Sequence, residues 1–147
     1  MSIWSGITPL QPRATRTIQS DLELGTASEN NVRDALCVAF NDDLKKTPQF
    51  HPMDFAGCGC WVEVKTRPTC SSTYYPTTLL PYSKIEFAKT SDRPVYFVFV
   101  FTDGIFWVIY NEEEFSQFTV SDFRRTDRGI DKEQKYIYIP VGKLTKV

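Results

Sequence analysis

Apolar residues recur along this 147-residue chain with two different periods, and the changes of period mark its elements. Val32, Ala35, Leu36, Ala39 and Phe40 repeat at helical spacing, and Ser28 stands where a cap belongs, so Ser28–Phe40 is predicted to be the first helix. Val95–Phe101 is apolar without interruption, as expected of a strand covered on both faces, and it is predicted to be the central strand. Thr102-Asp103-Gly104 signals a turn into a further strand, Ile105–Tyr110, while Tyr136–Ile139 reads as a last strand ended by Pro140. Pro81–Lys89 suits a short helix with Pro at its first position, and Pro94 fixes its end. Asn41–Phe50, Pro68–Thr78 and the charged stretch Arg124–Lys135 read as loops. Asn111–Phe123 is ambiguous, with Glu112, Glu113 and Glu114 able to start a helical turn. Residues 1–25, polar and interrupted by Pro9 and Pro12, read as an N-terminal arm, and 26–147 as a single domain. Helix, strands, helix, apolar strand and further strands together predict an α/β sandwich with a mixed sheet.

One segment carries candidate chemistry. In Asp54-Phe55-Ala56-Gly57-Cys58-Gly59-Cys60-Trp61-Val62-Glu63-Val64-Lys65, a two-residue Cys58-Gly59 loop pairs Gly57 with Cys60 and sets Asp54 opposite Glu63. Opposed residues have Cβ atoms about 4.5–5.5 Å apart, and the strand period of two puts Lys65 on the face of Glu63. Met53, Phe55, Val62 and Val64 then share the other face. A one-residue slip would mix the two faces, so the apolar pattern itself selects this register. Two carboxylates placed face to face repel unless a cation or a proton lies between them. The register therefore predicts a metal site with an adjacent ammonium.

Composition narrows the classes. A hydrophobic content of 41% with eleven Phe, seven Tyr and three Trp is that of a globular protein, and no apolar run is long enough for a membrane helix. The first ten residues lack a basic start followed by an apolar core, so no secretory signal is expected and a cytoplasmic or host-cell interior location is predicted. The net charge of −1 excludes a whole-molecule field for polyanions, leaving local groups such as Lys65 with Arg67, Lys84 with Lys89, and Arg124, Arg125 and Arg128. His51, Cys58, Cys60 and Cys70 lie close in sequence, but Cys-x-Cys is not zinc-knuckle spacing. The four cysteines are expected to be small apolar residues in a reducing compartment.

Asp54, Glu63-Val64-Lys65 and the helix bearing Lys84 resemble the motif of the PD-(D/E)XK nuclease superfamily over roughly residues 21–110. The resemblance implies an α-β-β-β-α-β core of the restriction-endonuclease type, with an acid on the first helix, an Asp on one strand, Glu-x-Lys on the next and a polar or basic residue on the second helix. By position these are Glu29, Asp54, Glu63, Lys65 and Lys84. Met53 stands where the motif has Pro, and no strand is identified between Phe40 and His51. The set is similar to those of phage-type junction-resolving endonucleases and several viral nucleases.

Phosphodiester hydrolysis needs a deprotonated water and relief of charge on the phosphoryl oxygens, and magnesium held by oxygen ligands supplies both, with manganese expected to substitute. Asp54, Glu63, the Val64 carbonyl and Glu29 are the expected ligands, and Lys65 the group beside the attacking water. Lys84, Arg67, Arg124 and Arg128 are the candidate contacts to nucleic acid. The predicted activity is a magnesium-dependent deoxyribonuclease, with DNA as partner, RNA left open and a homodimer suited to paired cuts. The alternative is an inactive nuclease-fold binding or assembly subunit. The intact acid, acid and lysine set favours the enzyme.

Overall fold

A computed structural model describes residues 30–125 and 132–147. The N-terminal arm, Glu29 and Arg128 lie outside the described residues. Helix α1 (30–40) runs into a short edge strand β1 (Lys45–Lys46), followed by β2 (Phe55–Ala56) and β3 (Trp61–Thr66). Next come β4 (Thr77–Pro81), α2 (Tyr82–Lys89), β5 (Val95–Phe101), β6 (Gly104–Ile109) and α3 (Glu112–Phe115). The long strands β7 (Thr119–Arg125) and β8 (Lys132–Pro140) precede a 3-10 turn at Val141–Lys143 and β9 (Thr145–Lys146). The architecture is α/β with a mixed sheet, as the apolar pattern predicts.

The main sheet has the order β1-β2-β3-β5-β6-β9, with β3 and β5 parallel and the other pairs antiparallel. Strand β5 lies inside it and is covered on both faces, which is why it is apolar at every position. Phe97, Phe99 and Phe101 pack into one core with Leu80, Ile85 and Ile137. Val98 and Val100 pack into the other, against Val32 and Leu36 of α1. Gly104 opens β6 with φ of 146°, a conformation that favours glycine.

A second sheet, β4-β8-β7, changes two sequence expectations. Thr77–Pro81 is a strand rather than the end of a loop, because Thr78 and Leu80 alternate inward and a distant partner, β8, supplies the ladder. The charged stretch Arg124–Lys135 contributes to a long hairpin rather than to a loop: Arg124 and Arg125 end β7, and Lys132 starts β8. Its register sets Asp122 opposite Lys135, opposite charges that favour pairing across the ladder. Lys45–Lys46 likewise forms a strand within the expected loop. Pro81 caps α2 instead of occupying its first position, and Asn111 caps α3 by accepting the Glu114 N–H at 2.9 Å.

Candidate active site

The hairpin forms in the register that the apolar pattern selects. Phe55 pairs with Val62, Ala56 with Trp61, and the Gly57 N–H donates to the Cys60 carbonyl at 2.8 Å. Its tip is held by a residue that the sequence reading passes over. Asp42, just after α1, accepts the N–H groups of Cys58 and Gly59, each at 2.9 Å. Both bonds favour the carboxylate and hold its pKa below the ordinary value, Gly59 more than Cys58. Glycine at 57 leaves room for this contact, since a Cβ there would lie 2.3 Å from the Asp42 carboxylate and push it aside.

The other end of the hairpin departs from simple alternation. Besides Phe55, Asp54 also answers to Val62, its N–H donating to the Val62 carbonyl at 2.9 Å. Two residues opposite one make a bulge. The bulge reverses the sidedness of what precedes it, so Met53 is buried in the core beneath α2 and not with Phe55 and Val62, which face α1. The Asp54 carboxylate reaches across to accept the Val64 N–H at 2.8 Å, closing a position on β3 that the two-residue β2 is too short to pair.

Glu63 is the buried acid of the site, 3% exposed on the face of β3 that lies under α2. Its Oε2 receives Lys65 from two residues along the strand at 3.3 Å and Lys84 from α2 at 3.1 Å. Its Oε1 has no hydrogen-bond partner among the described residues. Burial first, and then the Asp54 charge, push its pKa up to about 7 against the opposing pull of Lys65 and Lys84. Lys65 is 29% exposed and Lys84 19%, so both reach the acid from the solvent side. Lys84 also donates to the Pro52 carbonyl, which ties α2 to the loop before Asp54.

Arg67, one residue past the end of β3, follows Glu63 and Lys65 by the strand period, but its guanidinium turns to β4. It bonds Thr78 Oγ1 at 3.3 Å and the Leu79 carbonyl at 2.5 Å, and burial lowers its pKa. Arg124 lies at the far end of β7. The structure thus gathers Asp54, Glu63, Lys65 and Lys84, with Arg67 beside them. Among the described residues no third His, Cys, Asp or Glu joins Asp54 and Glu63.

The donor set fits a hard divalent cation. Glu63 Oε1 has no hydrogen-bond partner among the described residues, and the Asp54 and Glu63 carboxylates are close enough to interact strongly. Val64 offers the third oxygen: its N–H points to Asp54, and a strand residue directs its N–H and C=O to the same side, here the edge left open beyond β2.

The family model described as "Phage putative PDDEXK endonuclease" matches residues 13–147. The chain belongs to this nuclease family. In this chain Asp54 stands just before β2, Glu63-Val64-Lys65 lies on β3 and Lys84 on α2, and four strands, β1 to β4, separate α1 from α2 before β5. An elongation factor P from Christiangramia forsetii (strain DSM 17595 / CGMCC 1.15422 / KT0803) is 26% identical over 105 residues, 71% of this chain and 52% of that protein. The chain spans about half the length of that curated relative. No solved structure matches it.

Proposed function

We infer that this PDDEXK nuclease is a divalent-metal-dependent deoxyribonuclease whose site is Asp54, Glu63, Val64 and Lys65, with Lys84 in support. The observation that carries this reading is a buried glutamate with one oxygen held by two lysines, the other without a hydrogen-bond partner among the described residues, and a second carboxylate, Asp54, close enough to act on it. A surface ion pair has no need of that arrangement. Asp54, Glu63 and the Val64 carbonyl would hold magnesium, or manganese in its place, which supplies an activated water and charge relief on the phosphoryl oxygens.

The chain's own groups divide the remaining work. Lys65, partly exposed and held at Glu63, aims an ammonium at the solvent side of the site, where it orients the attacking water and offsets charge on a phosphate oxygen. Lys84 fixes the Glu63 rotamer and, through the Pro52 carbonyl, the approach of Asp54. Arg67 steadies β4, and through it the start of α2, rather than reaching outward. Glu29, which lies outside the described residues, is by the sequence motif the candidate fourth ligand.

The test is cleavage of linear, nicked, circular and four-way-junction DNA, and of RNA, in magnesium, manganese and chelator, with wild type and Glu63→Gln. Cutting that needs the ion and fails in Glu63→Gln supports the reading. Cutting that persists in chelator overturns it.

A further inference from the structure

The backbone of Asp54 is divided between two strands. Lys46 pairs with Phe55 across β1 and β2, so the next residues outward, Thr47 and Asp54, would exchange two backbone bonds if the ladder simply continued. One of the two is made, the Thr47 N–H donating to the Asp54 carbonyl at 3.0 Å, while the Asp54 N–H goes instead to Val62 of β3 at 2.9 Å. The bulge thus leaves Asp54 tied to β1 by half a pair.

The side chain of Thr47 makes up the difference. Its hydroxyl donates to the Met53 carbonyl and, at 3.0 Å, to the Asp54 carbonyl, one hydrogen shared between two acceptors. Those carbonyls belong to the peptide planes on either side of the Asp54 Cα. Holding both planes sets φ and ψ at Asp54, and with them the direction of its Cα–Cβ bond. From that bond the carboxylate reaches the Val64 N–H at 2.8 Å and comes close enough to Glu63 to act on its charge. Two other side chains brace the same loop: His51, whose Nδ1 accepts the Met53 N–H at 3.0 Å, and Lys84, which donates to the Pro52 carbonyl. Of the three, Thr47 is the one whose hydrogen bond ends on Asp54 itself.

We propose that Thr47 is a positioning residue of this site: its hydroxyl locks the backbone at Asp54 and so aims that carboxylate at the place a cation would take. The proposal rests on the nuclease reading and adds to it a residue that does not touch the ion. Thr47→Val keeps the branched shape and the backbone bond and removes the hydroxyl, whereas Thr47→Ser keeps the hydroxyl. Two measurements on the DNA-free protein, at a temperature where each variant is folded, test the role. In chelator, amide hydrogen exchange at Val64, whose N–H depends on the Asp54 carboxylate, should be about tenfold faster in Thr47→Val, with the Gly57 N–H at the hairpin tip unchanged. Calorimetric titration with manganese should show about tenfold weaker binding in Thr47→Val and wild-type affinity in Thr47→Ser, as expected when a group that orients a ligand is lost and restored. Wild-type manganese affinity or wild-type Val64 exchange in Thr47→Val would overturn the proposal. So would an equal loss in Thr47→Ser, or exchange that quickens at Val64 and Gly57 alike, as a general loss of stability gives. If Thr47→Val does not fold, Thr47→Ala takes its place, and failure of both to fold would overturn the proposal by making the hydroxyl a support of the whole domain. If wild type binds manganese, Glu63→Gln does not, and Thr47→Val binds as wild type does, the role of Thr47 alone fails. If wild type binds no manganese, the nuclease reading fails with it.

Discussion

The two ends of the β2–β3 hairpin each hold an aspartate against backbone N–H groups, yet they do opposite things with the charge. At the tip, Asp42 accepts two N–H groups, and its pKa is lowered. At the open end, Asp54 accepts one N–H, and burial, joined by the Asp54 charge, pushes the pKa of its neighbour Glu63 up to about 7. Hydrogen bonds at the tip favour the charged form. Burial and a like charge at the open end disfavour it. A carboxylate satisfied by backbone is a strut, whereas one set against a second, buried carboxylate keeps a place for a cation.

The sharpest way to break this contrast is catalytic. Asp54→Ala, Glu63→Ala and Lys65→Ala should each lower the cleavage rate by roughly a hundredfold or more, as loss of a main charge-stabilising group does elsewhere. Asp42→Asn should cut at close to the wild-type rate at a temperature where it remains folded. A Glu63→Ala variant that still cuts well would make the open end a strut as well.

The pH dependence comes next. Folded Glu63 keeps its proton up to about pH 7, whereas the unfolded chain releases it near 4.5. Between those values the native state binds the extra proton, so the stability of the metal-free protein falls as pH rises, by about 3 kcal/mol across the window. Glu63→Gln should remove that slope in urea unfolding measured in chelator from pH 4 to 8. An identical slope in the variant would mean that Glu63 is ionised throughout. Asp42 has the opposite sign: its contribution is present above its ordinary pKa of 3.8 and is lost as pH falls below it.

A smaller effect tests the strut. Asp42→Asn leaves one turn N–H without its acceptor and should cost about 1 kcal/mol. Gly57→Ala, whose Cβ would displace the Asp42 carboxylate, should cost a similar amount, and the two together less than their sum. Additive costs would show that the turn does not depend on this contact.

The last test concerns Lys84. As a support for Glu63 it should leave the salt dependence of DNA binding unchanged in Lys84→Ala while lowering the cleavage rate. A salt slope reduced by about one unit would make it a phosphate contact instead.

Much of the open end was legible in the sequence because it is local. The pairing of Phe55 with Val62 follows from a two-residue loop and the apolar pattern, and Lys65 follows Glu63 on one face by the strand period. The bulge was not legible, since alternation assumes one residue opposite one, and it moved Met53 to the other core. The strut at Asp42 depends on the path of the chain after α1, which no period encodes.

The sequence by itself determined the hairpin register, the central strand and the acid, acid and lysine set, because each depends on periods and turns spanning a dozen residues or fewer. Only the tertiary structure decided that Lys84 grips Glu63, that Thr77–Pro81 finds a ladder in β8 and that Asp42 closes the turn. These contacts join residues 16 to more than 50 positions apart. They depend on how α2 and the second sheet settle over the main sheet to bury its apolar face, which fixes where a lysine or a carboxylate arrives without leaving a mark in the local sequence.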